Sequence, residues 1–180
     1  MSCEPWQCAE VAATKKANPI TKPEVAVALI KRAVHPILIV GSNATDRYME
    51  GRQLIDYLID FARASKVPVV ATAHMVNEFL KRGFEPAAFM SAMDIGNRLA
   101  DPEWQGLDGK GHPDTALFVG LPFYMEANIL SGLMHFAPEL KTITLDNMYH
   151  PHASWSYPNT TLEDWAKNLT VMTQKFEGGN

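Results

Sequence analysis

The residues of this chain with reactive side chains are six histidines, two cysteines and a scatter of carboxylates. His150 and His152 flank a proline in the string HPH. Alternating imidazoles of this kind can grip a metal ion, but the Pro-rich loop offers no third ligand in view. Cys3 and Cys8 can supply half of a metal site, yet no second Cys/His pair follows at zinc-like spacing. An ordinary thiol pair near a terminus is the expectation there. His74 follows an apolar run with no carboxylate or nucleophile beside it, so it is expected to face solvent or cap an element. Asp101, Glu103 and Asp108 can pair for acid–base work, and on a polar loop they are expected to be solvated. The G-x-S-x-G, H-E-x-x-H, G-x-G-x-x-G and G-K-[ST] strings are all missing. No catalytic residue and no metal-ligand set is therefore assigned.

The elements that must position these groups are easier to read. Thr21 with Glu24 predicts a capping box, Pro23 suits a first turn, and Ala26, Leu29, Ile30 and Ala33 mark one helix face. Ile37 to Gly41 is a short β-branched run, as expected of a strand covered on both faces. Ile55, Leu58, Ile59 and Ala62 repeat the helical spacing, and Val67 to Thr72 is a second strand. Helical turns from Val76 to Arg82 stop at Gly83, and a further helix is predicted from about Ala87 to Leu99. Thr115 to Gly120 forms a third strand, Pro122 to Phe136 a helix, and Lys141 to Asp146 a fourth strand. Thr160 with Glu163 predicts a second capping box, opening a helix with Leu162, Trp165, Leu169 and Phe176 on one face. Residues 1–20 are expected to be an N-terminal arm and residues 21–180 a single domain. Alternating strands and helices predict an α/β fold: a three-layer, Rossmann-like domain with a mainly parallel sheet.

Composition narrows the partners. The 180 residues carry a net charge of -4, with 47% hydrophobic and 20% charged residues. This balance argues against a nucleic-acid or anionic-membrane surface, which would need clustered Lys and Arg. No apolar run approaches the roughly 20 residues of a bilayer span. The amino end has an acid where a signal peptide has basic residues, so a cytoplasmic location is expected. In open α/β sheets ligands bind at the carboxyl ends of the strands. Gly41, Ser42, Gly120 and Asp146 fall there and are the candidate contacts of a nucleotide crevice, with Asp146 placed to accept from a ribose hydroxyl. Glycine after a strand is also common simply because the chain must turn.

The stretch IGNRLADPEWQGLDGKGHPDTALFVG, Ile95 to Gly120, closely resembles the signature region of the epsilon subunit of the archaeal acetyl-CoA decarbonylase/synthase complex. The D-P-x-W-x-G-L-D-G string from Asp101 to Gly109 is its most specific part. HPILIVGS (His35 to Ser42), VPVVAT (Val67 to Thr72) and LKTITLDNMY (Leu140 to Tyr149) are similar in matching order, over roughly residues 24 to 175. The resemblance implies a fold similar to the FAD- or NAD-binding domains of thiamin-dependent enzymes and transhydrogenase. It implies a non-catalytic subunit of the carbon monoxide dehydrogenase component, in an α2ε2 unit with a large alpha subunit. That partner would hold the nickel–iron–sulfur centre and the iron–sulfur clusters, with ferredoxin as electron partner. The small subunit would stabilise alpha or help electrons reach a flavin, FAD being the cofactor to consider. Asp101, Trp104, Gly106, Asp108 and Gly109 are the candidate partner contacts, with Trp104 as anchor; the competing role for Trp104 is to plug the domain's own core. Gly106, Gly109 and Gly111 are expected at positive φ. A free-standing FAD- or NAD-binding protein is the alternative function, a His-based metalloenzyme a third, and self-association of the isolated chain is permitted.

Overall fold

The structure, a computed structural model, describes residues 16–72 and 75–178. Cys3, Cys8, Ala73 and His74 lie outside the described residues. The chain runs β1 (Asn18–Pro19), α1 (Pro23–Lys31), β2 (Pro36–Val40), β3 (Tyr48–Met49), β4 (Arg52–Gln53), α2 (Leu54–Ser65), β5 (Val69–Thr72) and α3 (Met75–Lys81). It continues through β6 (Ala88–Met90), α4 (Ala92–Ala100), β7 (Thr115–Val119), α5 (Phe123–Phe136), β8 (Lys141–Thr144), β9 (Trp155–Ser156) and α6 (Leu162–Glu177).

Seven strands form one sheet in the order β1-β9-β8-β7-β2-β5-β6, and every pairing in it is parallel. The side-chain period of two divides each central strand between two cores. Leu38 and Val40 of β2 join Leu117, Val119 and Ile143 against α1, α2, α3 and α6. Ile37 and Ile39 join Val70, Ala116 and Phe118 against α4 and α5. The layered, Rossmann-like architecture expected from the alternating pattern is present. No helix among the described residues is long and apolar enough to cross a membrane.

Several local expectations are corrected. Asn18 and Pro19, assigned to the arm, form an edge strand against Trp155 and Ser156, and Ala17 and Ile20 are buried. The Thr21–Glu24 box does not form; Lys22 is the N-cap without a side-chain bond, because Pro23 at the first helical position sets the start one residue later. Helix α6 is capped by Thr161, whose Oγ1 accepts from the Asp164 N–H at 3.1 Å, not by Thr160 with Glu163. The helix predicted from Ala87 is split. Ala88–Met90 pairs with Val70–Thr72 as the outermost strand, and Ser91 then caps α4 by accepting from Asp94 N–H at 3.0 Å. Pairing to an open sheet edge overrides the local helical period there.

Candidate functional site

Strand order reverses between β2 and β7, the place where open α/β sheets receive ligands. Gly41 and Gly120 follow these strands, and here the two turns are stitched to each other. Gly41 N–H donates to the Val119 carbonyl at 2.9 Å, and Asn43 N–H donates to the Gly120 carbonyl at 2.8 Å. Gly120 holds φ +72°, a left-handed conformation that favours glycine. Ser42, which is exposed, opens a 3-10 turn, Ser42–Ala44, whose Ala44 is buried beside Gly120. The four crevice candidates therefore do meet at one end of the sheet, where Gly41, Gly120 and Asp146 bond to neighbouring protein groups and Ser42 is exposed. The cavity left beside them measures about 30 Å³, against the roughly 300 Å³ at which ligand pockets begin. In this conformation backbone occupies the space between the Gly41 and Gly120 turns.

Asp146 takes part in that stitching. Both its carboxylate oxygens accept from the Gly120 N–H, at 3.0 and 3.1 Å, so it is not turned toward a ribose. Behind it stand two groups that the sequence did not single out together. Glu126, in the first turn of α5, is wholly buried, and neither of its oxygens has a donor among the described residues. His150 is 2% exposed, its ring stacked on Phe123 at 4.4 Å and its Nε2 3.6 Å from Glu126 Oε1.

Burial pushes Glu126 well above the usual carboxyl range, and the neighbouring Asp146 pushes it further the same way. Burial raises Asp146 to about 6, opposed by its contacts with Glu126, the Gly120 N–H and Arg47. Burial, then the nearby His152, lowers His150 to about 4. At neutral pH the imidazole is uncharged, so the His150–Glu126 contact is not an ion pair. A hydrogen bond between the two carboxyls requires a proton on one of them. Chemically, the cluster can hold a proton or a cation.

His150 and His152 do not converge. His152 is half-buried and lines a different cavity with Thr142 and Ser154. Glu126 was invisible in the sequence, since an acid in the first turn of a helix reads as a dipole-favoured surface group. Only the packing of α5 onto the end of β8 turns it inward.

The Asp101 to Gly111 loop lies at the opposite, amino end of the strands. Asp101 Oδ1 accepts from Glu103 N–H at 3.0 Å and Asp108 Oδ1 from Lys110 N–H at 3.1 Å, each closing a local turn. The three acids are exposed, as expected of solvated loop carboxylates. Gly106, Gly109 and Gly111 all have positive φ. At Gly106 a Cβ would sit 2.6 Å from the Gly111 carbonyl oxygen, so the loop's two arms close upon each other there. Asp114 pins the loop's end, accepting from the Val34 and His35 N–H groups at 2.8 and 3.1 Å.

Trp104 is half-buried against the α4–α5 core, with its ring edge-to-face on His112 at 6.2 Å. It therefore packs on its own domain while keeping part of its surface open. The loop separates two grooves. One, of about 330 Å³, runs past Pro102 and Pro113 to Phe136, which is 77% exposed. The other, of about 470 Å³, runs past Gly106 and Leu107 to Val34, which is 74% exposed.

The family described as CO dehydrogenase beta subunit/acetyl-CoA synthase epsilon subunit matches residues 1–173. The chain is 34% identical over 168 residues to the acetyl-CoA decarbonylase/synthase complex subunit epsilon of Methanothermobacter thermautotrophicus, covering 93% of each. It is 34% identical over 158 residues to subunit epsilon 1 of that complex from Archaeoglobus fulgidus, covering 87% of this chain and 82% of the relative. The corresponding subunit of Methanothrix soehngenii is 30% identical over 156 residues, 86% of this chain and 80% of its own length.

Proposed function

Since the chain belongs to the CO dehydrogenase beta subunit/acetyl-CoA synthase epsilon subunit family, we propose that it is a non-catalytic subunit of an acetyl-CoA decarbonylase/synthase complex. Its work is to dock on the large, metal-bearing alpha subunit, as in an α2ε2 unit, and to stabilise it. The nickel–iron–sulfur chemistry then belongs to that partner. One observation carries the docking reading: the amino end of the sheet presents two grooves, each ending in an aliphatic or aromatic side chain left open to water. Large apolar groups exposed beside concave surface favour a protein partner. Val34 and Phe136 supply the anchors in this arrangement. The Asp101 to Gly111 loop, held by Gly106 and Gly109, supplies the rigid rim between them, with Asp108 as its exposed charge and Trp104 as its inner prop.

The test is assembly. The alpha subunit is purified with and without this chain, and CO oxidation, thermal inactivation and subunit stoichiometry are compared. A longer-lived alpha subunit in the joint preparation is expected, with equal numbers of the two chains. Identical lifetime and no co-purification would remove the proposal. Electron-acceptor use in the same preparations reports on any part in passing electrons to a flavin.

A further inference from the structure

The cluster behind the switch point lacks what buried polar groups ordinarily have. Among the described residues no donor reaches either oxygen of Glu126, and Nδ1 of His150 is also unpartnered. Buried polar atoms are ordinarily paired, so two unpaired oxygens on one wholly buried carboxyl point to something that should occupy the space they face.

Three different segments bring ligand atoms to that space: Glu126 from α5, Asp146 from just beyond β8, and His150 from the loop leading to β9. One atom from each lies within 4.8 Å of the others, and the Glu126–His150 pair is already at 3.6 Å. Around an ion with bonds of about 2.0–2.2 Å, neighbouring ligand atoms stand roughly 3–4 Å apart. The geometry points to a binding site for one divalent transition-metal ion of the zinc type, held by an oxygen of Glu126, an oxygen of Asp146 and Nε2 of His150.

The charge balances. Two carboxylates offset a doubly charged ion and the imidazole stays neutral, which a buried site requires. The donor set of one nitrogen and two oxygens suits zinc, iron(II) or manganese(II); an imidazole ligand disfavours calcium and magnesium, and the lack of a thiolate disfavours copper(I). The cavity of about 30 Å³ lined by Asp146 and His150 has room for about one water as a fourth ligand. Phe123 and Met148, both partly exposed, line that cavity and form its route to solvent. A proton shared between Glu126 and Asp146 would satisfy one oxygen of Glu126. An ion takes up one oxygen of Glu126 together with Nε2 of His150 and an oxygen of Asp146, and ties α5 to the end of β8 and to the following loop.

The experiment uses the full chain, stripped with a chelator and titrated with zinc chloride at pH 7.5 by calorimetry. A variant with Cys3→Ser and Cys8→Ser is run in parallel, because those thiols can take zinc themselves. Both proteins should bind one equivalent at the cluster, with a thermal midpoint raised by several degrees. Glu126→Gln, which is isosteric and uncharged, and His150→Gln should each weaken binding at least tenfold and abolish the thermal shift. Cobalt(II) in the thiol-free chain should give a spectrum of nitrogen and oxygen ligands. The proposal is overturned if the thiol-free chain takes up no zinc or cobalt. It is equally overturned if uptake and thermal shift persist unchanged in Glu126→Gln and His150→Gln.

Discussion

Gly41 and Gly120 stand back to back at the ends of β2 and β7, so close that a Cβ on Gly41 would lie 2.3 Å from the Gly120 carbonyl oxygen. No flexible side chain can yield there, since the obstacle is backbone. Gly41→Ala should destabilise the protein by about 3 kcal/mol, the upper part of the range for overpacking. A denaturant melt measures it, and a loss below about 0.5 kcal/mol would show that the two turns can part to admit a methyl group.

A second prediction concerns pH. Asp146 has its folded value raised from 3.8 to about 6, so the folded chain keeps this proton in a window where the unfolded chain has lost it. The stability from this group is complete below pH 4 and disappears as pH rises through 6. His150 runs the other way: lowered from 6.5 to about 4, it makes the fold more stable as pH rises across that window. Glu126, whose folded value is raised in the same direction, acts with Asp146, so the two carboxyls together oppose the imidazole. Asp146→Asn should remove the Asp146 share, gaining on the order of 2 kcal/mol relative to wild type between pH 4 and 7. Urea melts of both proteins across that range check it; parallel curves would refute it.

The amino end separates packing from docking. Trp104→Ala removes a half-buried ring from the α4–α5 core and should cost roughly 2 kcal/mol, less than the 3–5 kcal/mol of a fully buried aromatic. Phe136→Ser alters a side chain that is 77% exposed and should change stability by less than about 0.5 kcal/mol. In pull-downs with the alpha subunit the order should reverse, with Phe136→Ser weakening capture more than tenfold. Equal capture by Phe136→Ser and wild type would remove that groove from the interface.

Nucleotide titration gives a fourth prediction. With about 30 Å³ beside the switch point, FAD and NAD should bind with Kd above about 1 mM. Flavin fluorescence quenching provides the readout. Saturation at micromolar FAD would mean that the Gly41 and Gly120 turns part to admit it.

The central strands were legible in the sequence because runs such as Ile37 to Val40 and Ala116 to Val119 are short and apolar at every position, as a doubly covered strand needs. The outer strands were not. Asn18–Pro19, Ala88–Met90 and Trp155–Ser156 are two or three residues long and gain strand character from a neighbour rather than from their own composition. The same distinction governs the sites. The loop from Asp101 to Gly111 announces itself by spacing, since its glycines answer to local φ. Glu126 and His150 carry no local mark, and their relation arises only when α5 settles on the end of β8.

The pairing of Asn18 with Trp155 also sets a clock. Ala17 to Ile20 have their backbone partners between Pro151 and Ser156, and Asn18 bonds a residue 136 positions downstream. A ribosome adding 5–20 residues per second leaves that first segment waiting on the order of ten seconds for its mate. During synthesis Ile20, buried once β9 arrives, is an open greasy edge, and a nascent-chain chaperone would find it there.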